Sequence, residues 1–192
     1  MTDRFFLRDV FREHLDSEAL TGPIRSIAQL IASGELSRDS FDGLIEAKGL
    51  SGTPDLKEIL LDLTLIFTRK CVEDHKLSEV EIDELVNLVT ILRITEGDFY
   101  ELRRDAVQAV ICAQAMWMLG DEYVTEEEEI LQSDLQRLFG LSYDQYVALL
   151  RPVAKKHIEQ LESRRLATQD REEWKLIDSS IQNLRSVFLV AR

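Results

Sequence analysis

Apolar residues recur along this chain every three or four positions and almost nowhere every second one. In "FFLRDVFREHL" that spacing sets Phe6, Val10, Phe11 and Leu15 on one helical face. Gly22-Pro23 closes this helix and opens the next, with proline in a first turn, where its missing N–H is not needed. Ile24, Ile27, Leu30 and Ile31 form the second stripe. "SGELSRDSF" (33–41) reads as a turn and then a helix capped by Ser37. Thr53-Pro54 is a further helix start, after which Leu56, Ile59, Leu60, Leu63, Phe67 and Cys71 carry an apolar stripe up to Asp74. The β-branched residues share the 3–4 spacing and do not alternate, so no strand is expected. The pattern predicts an all-α fold, a compact multi-helix bundle.

The same pattern repeats. "DHKLSEVE" begins at Asp74 and "DEYVTEEE" at Asp121, 47 residues further on. Under that one shift Leu77 meets Val124, Ser78 meets Thr125, Glu81 meets Glu128, Leu88 meets Leu135, Ile94 meets Leu141, and Phe99 meets Tyr146. One unit reads as helix, acidic turn, helix, short turn and the start of a third helix. A period of this length predicts stacked helical units that share a core. At 33–41 Leu36, Ser37 and Phe41 stand in the places of Leu77, Ser78 and Ile82, with Ser33 and Ser40 where the acids would be, so this stretch reads either as a degenerate third copy or as a chance likeness. The chain thus divides into an N-terminal helical extension at 1–52, a duplicated helical core at 53–151 and a C-terminal helical hairpin at 152–192. In that last part Trp174, Ile177, Ile181, Leu184 and Phe188 lie at 3–4–3–4 spacing. Such a narrow stripe either packs back on the core or forms a face for dimerisation or a partner protein.

Composition narrows the classes. Hydrophobic residues make up 45% and charged residues 31% of 192, the balance of a folded chain and not of a disordered one. The net charge of −13 repels phosphate backbones, so no nucleic acid is expected as a partner. No apolar run is long enough to cross a bilayer and the first residues do not read as a signal peptide, so direct membrane insertion is not expected and a cytoplasmic location is. Cys71 and Cys112 lie in helical patterns without metal-site spacing and read as buried free thiols of a reducing compartment.

Capping accounts for part of the repeated motif. Ser78-x-x-Glu81 and Thr125-x-x-Glu128 are capping boxes, as is Ser142-x-x-Gln145, and Thr95-x-x-Asp98 resembles one. It does not account for Asp74 and Asp121, which fall near helix C-termini, where an acid costs roughly 0.3–1 kcal/mol against the macrodipole. A turn hydrogen bond, a basic neighbour or a cation would compensate. If the two units pack about a pseudo-twofold axis, Asp74, Glu81, Asp121 and Glu128 converge, and four carboxylates suit a hard divalent cation such as Ca²⁺, Mg²⁺ or Mn²⁺. His75 and Glu122 are candidate additional ligands. His75 would draw selectivity toward Zn²⁺, and its alternative is a solvated turn histidine. The chain carries no matching EF-hand loop, no HExxH, no glycine-rich phosphate loop and no GxSxG, so neither enzymatic activity nor an organic cofactor is expected.

The stretches "CVEDHKLSEVE…ILRIT" and "MLGDEYVTEEE…LFGLS" resemble the duplicated motif of the tellurite-resistance TerB-like family. That motif is close to Ala-x-x-Asp-Gly-x-[Leu/Val]-Ser-x-x-Glu, followed by a helix ending in [Leu/Ile]-x-[Leu/Ile]-[Ser/Thr]. The resemblance covers about 55–150. It implies an all-α fold and paired acids that bind a metal, here Asp74 with Glu81 and Asp121 with Glu128. It also implies a role in bacterial stress response, in resistance to toxic oxyanions or in membrane-linked assemblies. The chain departs from the motif where Gly follows Asp: His75 stands there in one copy and Glu122 in the other. The competing expectation is an acidic adaptor that docks a partner protein or self-associates without metal.

Overall fold

The computed structural model describes residues 6–16, 20–51, 55–75, 77–118 and 126–189, with side chains except those of residues 6, 117, 118 and 126–130. Ten α-helices lie among them, and no strand does: α1 (Phe6–His14), α2 (Gly22–Ser33), α3 (Arg38–Ala47), α4 (Asp55–Cys71), α5 (Glu79–Ile91), α6 (Asp98–Leu102), α7 (Arg104–Met118), α8 (Glu126–Leu138), α9 (Tyr143–Ala167) and α10 (Arg171–Phe188).

The local signals act where they stand. Ser37 with Ser40, Ser78 with Glu81, and Ser142 with Gln145 each form a complete capping box at the starts of α3, α5 and α9. At Thr95 only the return half forms. The Asp98 carboxylate accepts from the Thr95 N–H at 2.6 Å, while α6 itself starts behind Gly97. Thr53, Pro54 and Thr125 lie outside the described residues.

Helix α4 is the centre of the body and packs against α1, α2, α5, α6 and α7. It is more than a one-sided stripe. Leu61, Thr64, Leu65 and Thr68 are buried along with Leu60, Leu63, Phe67 and Cys71, so it is enclosed nearly all round. The two threonines are tolerated there because their hydroxyls donate back to the Leu60 and Thr64 carbonyls, both at 2.9 Å. The core is continuous from Val10 and Phe11 of α1 to Leu149 and Leu150 of α9, so α1–α3 share it with the helices that follow.

Charge pairs fix the corners. The Arg103 guanidinium grips both oxygens of Asp62, at 2.6 and 2.8 Å, and also reaches Glu58 at 2.7 Å. Lys57 Nζ bridges the Asp98 carboxylate and the Arg93 carbonyl. Both tie the α5–α7 connection to α4.

Helix α9 runs unbroken through Pro152, so the hairpin expected to begin there starts inside a helix already packed on α7. In the turn before the proline, the Leu149 carbonyl accepts from Gln108 Nε2 at 2.8 Å. The far half of α9 pairs with α10 around a second, smaller core of Ile158, Leu161, Ile177 and Ile181.

Candidate functional site

The acidic turn between α4 and α5 is built from its backbone outward. After Cys71 the chain makes a tight turn in which the His75 N–H donates to the Val72 carbonyl at 3.1 Å. His75 takes φ 61°, the left-handed region that favours glycine. Two contacts from α7 hold it there. Gln114, buried at 5% exposure, donates from Nε2 to the Val72 carbonyl at 3.1 Å. That sets its amide so that Oε1 accepts from His75 Nδ1, 2.7 Å away. His75 is therefore not a solvated turn histidine; it is half-buried, with its Nδ1 proton committed to Gln114.

The acids separate into roles. Asp74 is exposed on the turn. Glu81 Oε2 accepts from the Ser78 N–H at 2.8 Å and from the Ser78 hydroxyl at 2.7 Å, so that oxygen belongs to the helix cap. Glu84, absent from the sequence expectation, accepts the Leu7 N–H at 2.8 Å and thereby caps α1 from α5. Its only trace in the sequence is its place one turn along from the capping box. Glu73 pairs with Lys70 at 2.7 Å.

Three of these carboxylates, those of Glu81, Glu84 and Asp74, lie close enough to act on Cys71. Burial pushes its thiol far above the ordinary range, and the fields of Glu81, Glu84 and Asp74 add to the shift. A buried thiol whose pKa is raised in this way is a poor nucleophile. The half-buried Cys112 is likewise pushed up by burial and donates weakly to the Leu149 carbonyl.

Asp121 and Glu122 lie outside the described residues, and of Glu128 only the backbone, in the first turn of α8, is described. Among the described residues no group of three or more His, Cys, Asp or Glu side chains is placed to hold a metal ion. Of the expected ligands, then, Asp74 and His75 lie on the α4–α5 turn and Glu81 in the first turn of α5, without forming such a group, and one Glu81 oxygen and one His75 nitrogen are already engaged.

The expected partner stripe is largely closed within the chain. Ile177 and Ile181 are buried against Ile158 and Leu161, with Leu184 packed on the same cluster. Phe188 packs on the main core. Trp174 is half open, with the Arg165 guanidinium 5.5 Å from its ring centre. In this arrangement most of the stripe is covered within the chain, while Trp174 stays half exposed.

An apolar groove does remain open elsewhere, between α5 and α8. Leu77, Ile82, Val86, Val89 and Leu138 line about 200 Å³, with Asp134 and Arg137 on the wall. No helix among the described residues is long and apolar enough to cross a membrane. No family model, no curated protein and no solved structure matches the chain.

Proposed function

We propose that this chain is a non-enzymatic bacterial TerB-like protein whose paired acidic turns bind a hard divalent cation, and that it acts in stress response or in resistance to tellurite and other toxic ions. The observation that carries this reading is the backbone at His75. The family motif places glycine after the aspartate, where a left-handed residue is needed, and His75 adopts that conformation with Gln114 holding it. A turn of this kind is compatible with glycine at that place, which supports the reading.

We further propose that the fold is built on duplication of one helical unit. In support, α5 and α8 have bounds offset by the same 47 residues as the motifs. Arg93 (φ 55°) and Gly140 (φ 57°) end those helices in the same left-handed conformation. Ile94 N–H to Val89 and Leu141 N–H to Gln136 are equivalent hydrogen bonds, both at 3.0 Å. The third copy gains support from Gly34, at φ 80°, whose N–H bonds the Ile31 carbonyl three residues back, as His75 bonds Val72.

Asp74 and Asp121 would be the direct ligands. Glu81 and Glu128 would act through the oxygen that capping leaves over, or through water. The test is thermal unfolding with and without Ca²⁺, Mg²⁺, Mn²⁺ or Zn²⁺. At about a hundredfold excess of ion over Kd, binding to the folded state adds about 2.7 kcal/mol. A rise in Tm that the double substitution Asp74→Asn, Asp121→Asn removes supports the reading, and no shift with any of the four ions refutes it.

The open α5–α8 groove favours a second reading, an acidic adaptor that docks a partner protein without metal. It predicts an association that survives chelation, whereas the metal reading does not.

A further inference from the structure

We propose that the groove between α5 and α8 receives a basic amphipathic helix of a partner protein. The proposal rests on the adaptor reading and names its partner. Helix α5 offers Ile82, Val86 and Val89 at i, i+4 and i+7, and Val86 remains 42% exposed although it lines the groove. Seven helical residues span about 10 Å, the separation between successive anchors on a docked helix. The volume of about 200 Å³ exceeds the roughly 150 Å³ that admits a benzene ring, so one leucyl or aromatic anchor fits at depth.

Charge selects the occupant. Helix α5 carries Glu79, Glu81, Asp83 and Glu84 and no Lys or Arg, and α8 carries Glu126, Glu127, Glu128, Glu129 and Asp134 against the single Arg137. Glu81 and Glu84 have partners within the fold, while Glu79 and Asp83 are exposed along α5. The groove wall carries Asp134 beside Arg137, and the exposed Glu79 and Asp83 of α5 leave its surroundings with a net negative charge, which disfavours nucleic acid and anionic lipid alike. A second copy of a chain with net charge −13 is repelled as well. An apolar stripe flanked by Lys and Arg matches both the groove and its rim.

The probe is a labelled Leu/Lys peptide of about 18 residues, five helical turns, with Leu at i, i+3, i+4 and i+7. Its anisotropy is titrated with the full chain, beside a counterpart carrying Glu in place of Lys. Val86→Lys with Thr90→Lys alters two exposed groove positions, and Leu166→Lys with Leu176→Lys makes the same charge change at exposed hairpin positions. The groove pair is expected to weaken binding by about tenfold or more. The hairpin pair should leave it unchanged, and the acidic peptide should not bind. Equal losses from both pairs, or binding that neither pair affects, overturns the groove assignment while leaving the adaptor reading standing. Self-association of the wild type that Val86→Lys abolishes overturns it in favour of a second copy. No binding of the peptide, together with no partner retained from native lysate in chelator, removes both.

Discussion

The α4–α5 turn and the α9–α10 hairpin both stand out in the sequence, one for its acids and one for its apolar stripe, yet they are completed in opposite ways. The hairpin satisfies itself from nearby chain. Its four core residues lie on two adjacent helices, and its ion pairs Arg164–Glu173 and Arg165–Asp178 span 9 and 13 residues. The turn is completed from far away, by Gln114, 39 residues beyond His75, while the neighbouring Glu84 reaches an N–H 77 residues distant. A regular apolar stripe therefore says that a helix will be covered, and the nearest helix covers it. A turn that breaks the local rules points to distant groups that hold it.

That contrast can be broken most strongly by core truncation. Phe67→Ala in α4 should cost about 3–5 kcal/mol and lower the melting temperature of the whole body. Ile181→Ala should cost about 2–4 kcal/mol, with the loss concentrated in faster amide exchange of α10 and the far half of α9. If Ile181→Ala speeds exchange in α4 equally, the hairpin is not a separate cooperative unit.

A smaller effect probes the turn. Gln114→Leu keeps the volume but strips partners from the buried Val72 carbonyl and His75 Nδ1, and should cost about 1–3 kcal/mol. Exchange should rise at residues 72–75 and stay unchanged in the hairpin. An unchanged turn would mean that His75 holds its left-handed conformation unaided.

The smallest effects depend on pH and again separate the regions. Burial holds the His157 imidazolium pKa below 6.5, with a Gln160 hydrogen bond opposing. Folded His157 binds its proton more weakly than the unfolded chain does. Stability is therefore complete above about pH 6.5 and declines as pH falls through that value toward the lower folded pKa. In the body, burial of Asp98 opposes its ionisation, but Lys57 and the Thr95 hydrogen bonds outweigh it and hold the carboxyl below its ordinary range. Its contribution is present above the usual carboxylate pKa and is lost as pH falls through the lower folded value. Urea midpoints across pH 7 to 5 should fall modestly for the wild type and less for His157→Gln; equal slopes would contradict this assignment.

What the sequence made legible follows from range. Capping boxes at Ser37, Ser78 and Ser142 are contacts between residues three apart, so the letters suffice. The enclosure of α4 is less legible, because Thr64 and Thr68 look polar until their hydroxyls fold back on the helix. Gln114 carried no local signal and Glu84 only its place one turn along from the capping box, since their partners lie far away in the chain, on the α4–α5 turn and on α1. His75 was legible only through the resemblance, as the residue standing where glycine is expected, and its coupling to α7 was not. The Trp174–Phe188 stripe was read correctly as apolar and periodic. Its packing back on the chain was one of the two readings; that α9 runs on through Pro152 was not legible, because the proline signal argued for a break there.

The central claim is that Asp74 and Asp121 hold one cation between the two turns. Anomalous diffraction from crystals soaked in Mn²⁺ tests it most directly. The account predicts a peak bound by carboxylate oxygens of both aspartates at about 2.0–2.6 Å. A peak absent from Asp74 in crystals that bind Mn²⁺ elsewhere, or carboxylates of Asp74 and Asp121 too far apart to share an ion, would contradict it.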